Sequence, residues 1–110
     1  MNITENRQGP ISTFTLRGRV DSAGAVELEQ ALHEALGAGH TRIILDLSQV
    51  AYINSAGLRI LADVLTQNQA NGGDLVLVAP SSKVRRVFQI VGFDHFFRMF
   101  DTIESAVREF

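Results

Sequence analysis

Two short, unbroken apolar runs restrict the folds open to this chain: Ile43-Ile44-Leu45 and Leu75-Val76-Leu77-Val78-Ala79. A strand with one wet face alternates apolar and polar residues, whereas a strand without alternation needs cover on both faces. Each run is followed by apolar residues at helical spacing. After the first come Leu58, Leu61, Ala62 and Leu65, widened by Ile60 and Val64; after the second come Val84, Val87, Phe88 and Val91. Buried strands that each lead into an amphipathic helix imply a sheet with helices packed on it.

The remaining segments fit the same scheme. Ser12, Phe14 and Leu16 alternate with Thr13, Thr15 and Arg17, the pattern of a half-buried strand. Gly9-Pro10 turns back to a weaker strand over Asn2 to Arg7. Asp21 or Ser22 caps a helix whose Ala25, Leu28, Leu32, Ala35 and Leu36 share one face, and Gly37-Ala38-Gly39 ends it. Arg42 to Leu47 is the next strand, and Ser48 to Asn54 reads as a turn. Gly72-Gly73 closes the second helix. Pro80 breaks the second apolar strand, Ser81 or Ser82 caps the third helix, and Gly92 stops it. Phe97 to Met99 reads as a short edge strand. Asp101 with Glu104 three residues on has the form of a capping box for a last helix carrying Ile103, Ala106, Val107 and Phe110. The expectation is an α/β fold: a mixed sheet of about four to five strands with about four helices packed on it. It occupies residues 1–110 as a single domain, with no internal repeat or low-complexity segment.

Composition removes several functions. Lys and Arg number 10 against 12 Asp and Glu, a formal net charge of -2, where a nucleic-acid binder normally carries a basic surplus. Cysteine is absent, which excludes a disulfide framework, a thiolate zinc site and a cysteine nucleophile. His33, His40 and His95 lack the spacing of metal ligands. There is no Gly-x-Ser-x-Gly elbow and no Gly-x-x-x-x-Gly-Lys phosphate loop, so neither an enzyme nor a cofactor is expected. Met1 to Arg7 has no signal-peptide run and no stretch reaches membrane-spanning length. The expected setting is the cytoplasm, with no direct contact to membrane or nucleic acid. Phe93, Phe96, Phe97 and Phe100 read as core and sheet edge, and Lys83, Arg85 and Arg86 as a solvated helix start.

The chemistry concentrates where the first apolar run ends. Ser55 stands directly ahead of the second helical pattern, at a helix mouth whose unpaired N–H groups favour negative charge. Its plain reading is an N-cap; a phosphate there would also sit well locally. Gly57 either admits a partner backbone or relieves crowding in the first helical turn. Arg59, one turn after Ser55, either meets a phosphate or an acidic partner or is simply solvated.

At this point the sequence resembles the STAS domain, the fold of bacterial anti-sigma factor antagonists. Asp46-Leu47-Ser48 through Ile53-Asn54-Ser55-Ala56-Gly57-Leu58-Arg59 is similar to the family's signature, a strand ending in Asp-Leu, a short turn, then Asp/Ser-Ser-Ser/Thr/Ala-Gly-Leu. Val84-Arg85-Arg86-Val87-Phe88 through Val91-Gly92-Phe93, then Phe97 and Asp101, fits a second stretch. The resemblance implies a partner switch. The unphosphorylated protein binds an anti-sigma factor that is a serine kinase of the histidine-kinase-like ATPase type. Phosphorylation of the serine aligned with Ser55 dissolves the complex, and a PP2C-type phosphatase resets it. Asn54, Ser55, Ala56, Gly57 and Arg59 would form the partner surface, with Ser22, Ala23 and Gly24 bordering it, on a protein that is monomeric when free. Asp46 would order the turn or help hold the kinase's magnesium–nucleotide. Asn54 departs from the Asp common before that serine, which removes a charge beside the hydroxyl. STAS domains also serve as non-switching subunits of lipid-transport ABC systems or as scaffold pieces of stress-signalling complexes, the alternative role.

Overall fold

The computed structural model describes Met1–Phe110. Ten elements follow in order: β1 (Asn2–Gln8), β2 (Ile11–Val20), α1 (Ser22–Gly37), β3 (Arg42–Ile53), α2 (Ser55–Ala70), β4 (Asp74–Val78), α3 (Ser82–Ile90), a 3-10 turn (Phe93–His95), β5 (Met99–Phe100) and α4 (Ile103–Arg108). They build one mixed sheet in the spatial order β1-β2-β3-β4-β5. β1 runs antiparallel to β2, and the other neighbours are parallel. No helix is long and apolar enough to cross a membrane.

The unbroken apolar runs sort by pleat. Ile43, Leu45, Leu75 and Leu77 point to the face carrying α1, α2 and α3, where 21 buried residues form the main core. Ile44, Val76 and Val78 point the other way and meet Ala106 of α4, with Ile103 and Phe110 beside it. That two-sided demand is why β3 and β4 lack alternation. Leu16, Leu28, Leu32, Leu45, Leu61 and Leu77 are fully buried, each contributing about 1.5–3 kcal/mol of hydrophobic stabilisation. Phe88 of α3 is also fully buried and meets Phe97 edge-on, with centroids 5.5 Å apart.

The segment expected as a turn, Ser48 to Asn54, is strand as far as Ile53. Its pairing with β2 slips twice, between Thr15 and Arg17 and between Gly18 and Arg19. Each slip adds a residue to β3, as a β-bulge does. Leu47, Val50 and Ile53 therefore all enter the main core at intervals of three residues. An interval of three matches neither the two-residue strand period nor a helix, so the sequence looked irregular.

Smaller corrections cluster at element ends. The short edge strand is Met99–Phe100, because Phe97 turns inward as a core residue instead of pairing at the edge. Thr102, not Asp101, caps α4: its hydroxyl accepts from the Ser105 N–H at 3.1 Å. Val91 lies past the end of α3 and is exposed rather than on its buried face. Of the paired alternatives, Asp21 caps α1 and Ser81 caps α3.

Candidate functional site

β2 and β3 are parallel neighbours whose last residues, Val20 and Ile53, face each other in register. The Asn54 N–H donates to the Val20 carbonyl at 2.9 Å and locks the two strand ends together. Each strand then enters a helix through the same device. Asp21 is extended (φ -87, ψ -167) and its Oδ1 accepts from the Gly24 N–H at 2.9 Å. Asn54 is extended (φ -93, ψ 175) and its Oδ1 accepts from the Gly57 N–H at 2.8 Å. Asp21-Ser22-Ala23-Gly24 and Asn54-Ser55-Ala56-Gly57 are thus one four-residue motif used twice on adjacent strands, an echo missed when no repeat was expected.

The cap assignment corrects the plain reading of Ser55. Asn54 supplies the capping oxygen, so Ser55 is the first helical residue and its side chain is exposed. Its hydroxyl has no hydrogen bond within the chain and holds no part of the fold together. Asn54 keeps the acceptor a helix start requires without the charge an aspartate would add. Asp46, half-buried, accepts from the Ser48 N–H at 3.0 Å; since this segment is strand and not a turn, the contact holds the backbone of β3 at its first bulge.

Gly57 and Gly24 are buried beneath the two serines. A Cβ on Gly57 would stand 2.6 Å from Val20 Cγ1 and 3.1 Å from Ile53 Cγ1. A Cβ on Gly24 would stand 2.6 Å from the Arg19 carbonyl oxygen. Of the two readings of Gly57, this geometry carries the packing one. Ala56, Ala23, Ser22 and Arg59 are all exposed. Arg59 pairs with no carboxylate.

Two residues absent from the sequence reading stand beside the serines. Arg19 and Tyr52 are register partners two residues before the caps, both exposed, with the guanidinium carbon 4.6 Å from the ring centroid. Tyr52 was hidden inside the supposed turn. Val26, one turn beyond Ser22 on α1, is 54% exposed and adds an apolar contact point. The assembled surface is an exposed hydroxyl pair at two helix mouths, flanked by Arg19, Arg59, Tyr52 and Val26.

The family model of the STAS domain matches residues 2–106. BtrV of Bordetella bronchiseptica is 36% identical over 110 residues, which cover all of this chain and 95% of that protein. RsfB of Mycobacterium tuberculosis, an anti-sigma-F factor antagonist, is 29% identical over 107 residues, 97% of this chain and 87% of that one. The crystal structure of TM1081 from Thermotoga maritima superposes with a TM-score of 0.92 at 25% identity, covering 97% of this chain and 92% of that one.

Proposed function

This chain belongs to the STAS domain family, and on that footing we propose that it is an anti-sigma factor antagonist working as a phosphorylation-controlled partner switch. In the unphosphorylated state the surface around Ser55 holds an anti-sigma factor that is a serine kinase. The kinase transfers the γ-phosphoryl group of ATP to Ser55 Oγ; the new O–P bond replaces the bond to the β-phosphate, ADP leaves, and the hydroxyl proton passes to a base of the kinase. A PP2C-type phosphatase hydrolyses the phosphoserine and restores binding.

The observation that carries this reading is the exposed Ser55 hydroxyl, relieved of capping by Asn54. A phosphate on it takes no hydrogen bond from the fold and lies at the favourable end of a 16-residue helix. In a docked complex the same phosphate becomes a buried, unpaired charge. That penalty of about 3–5 kcal/mol corresponds to an affinity loss on the order of a hundredfold to several-thousandfold.

The test is incubation with the candidate kinase and ATP, read by intact mass and by binding of the modified protein. Wild type gains a phosphate and leaves the complex; Ser55→Ala gains none there and stays bound. Phosphorylation of Ser55→Ala to the wild-type extent, or a complex that survives modification of Ser55, overturns the reading. The second outcome favours the non-switching role of the fold.

A further inference from the structure

We propose that the free edge of β1 pairs with an extended, basic segment of a partner polypeptide, whose alternate side chains reach over β1 into the acidic groove between β1 and α1. β1 is an edge strand, hydrogen-bonded only to β2. α1 packs over β2 and against α2, and every residue of β1 except Ile3 is exposed. The result is a groove of about 740 Å³, within the size range of ordinary ligand clefts. Phe14 of β2 and Ile3 of β1 form its floor. The small side chains of Ala31 and Ala35 of α1, and of Ala38 at its C-cap, keep it open.

Charge selects the occupant. Glu27 and Glu34 of α1 face the groove two turns apart, about 10 Å along the helix axis. Glu5 faces them from β1. The nearby positive groups are the amino terminus, 3.9 Å from Glu27, and Arg7, which contacts His40; the Nδ1 of His40 lies 3.9 Å from Glu5. A second copy of this chain would bring an identical acidic rim against the first. A segment with Lys or Arg at alternate positions instead places its charges toward the carboxylates, while its backbone meets the open edge of β1. Strand addition of this kind takes affinity from main-chain hydrogen bonds and specificity from alternate side chains. The groove is lined by β1, β2, α1 and His40, not by the residues around Ser55, so this inference is independent of the switch.

The probe is the peptide acetyl-Ala-Lys-Val-Lys-Val-Lys-Ala-amide, titrated into the isotope-labelled full chain by NMR, with hydrogen exchange read on the β1 amides. Binding should shift resonances of β1 and of the Glu27-to-Ala38 side of α1, and slow exchange along β1. Glu27→Gln with Glu34→Gln should weaken binding about fivefold to tenfold, while Ser55→Asp leaves it unchanged. Proline in place of the first valine, or Glu in place of every Lys, should abolish it. The proposal fails if the peptide does not bind, if the acidic peptide binds equally, or if the shifts lie elsewhere. It also fails if β1 becomes protected with rising protein concentration in the absence of peptide, which would assign the edge to self-pairing.

Discussion

Replacing Gly24 with alanine should destabilise this protein, although the same change in an ordinary helix is favourable. Alanine exceeds glycine by about 1 kcal/mol inside a helix. At position 24 the new methyl would lie 2.6 Å from the Arg19 carbonyl oxygen and 3.4 Å from Asp21 Oδ1. The carbonyl belongs to a paired strand and cannot swing aside, so the start of α1 must move. Forced overpacking costs about 1–3 kcal/mol, and loosening the Asp21 cap costs about 1 kcal/mol more. After the propensity gain, the net loss is about 1–3 kcal/mol. For a domain of this size that is a fall in Tm of roughly 5–20 °C. Gly57→Ala is the internal comparison: its methyl would press on the side chains of Val20 and Ile53 rather than on backbone, and its loss should be smaller. Urea unfolding followed by circular dichroism measures both, provided the m-values agree with wild type. A Gly24→Ala protein as stable as wild type would refute the steric argument.

Two further outcomes follow from side chains without partners. Ser55→Asp should leave Tm unchanged or raise it, since it breaks no hydrogen bond and adds about 0.3–1 kcal/mol of favourable charge at a helix start at low salt; a lowered Tm in a thermal melt would contradict the assigned position of that residue. Ser12 is fully buried in β2 and its Oγ has no partner, so Ser12→Ala should gain about 1 kcal/mol, again read by urea unfolding, and a loss would contradict the burial of an unmatched hydroxyl.

The parts of the fold legible in the sequence were those in which one environment persists along an element. Ile43-Ile44-Leu45 and Leu75-Val76-Leu77-Val78 announced two-sided burial because every position meets a core. Leu28, Leu32 and Ala35 announced α1 because one stripe faces the sheet. Legibility failed where pairing is irregular. Leu47, Val50 and Ile53 are all core residues, yet the added residues between them erase the strand period. Position 55 was readable as a serine at a helix mouth, but the cap oxygen proved to belong to Asn54, since Ser and Asn are near-equal in that role. Arg19 and Tyr52 were unreadable because their stacking depends on cross-strand register, which local sequence does not state. The motif shared by residues 21–24 and 54–57 gained meaning only when the strands were set side by side.

The two slips in β3 have a consequence for the shape of this end of the molecule. β3 spends 12 residues over the span that β2 covers in 10. Paired without slippage, β3 would overshoot its neighbour by two residues, about 6.6 Å, and one helix would begin on a step above the other. The slack taken up along the way brings both strands to the rim at the same height. α1 and α2 consequently begin at one level, with Ser22 and Ser55 each the first helical residue above it.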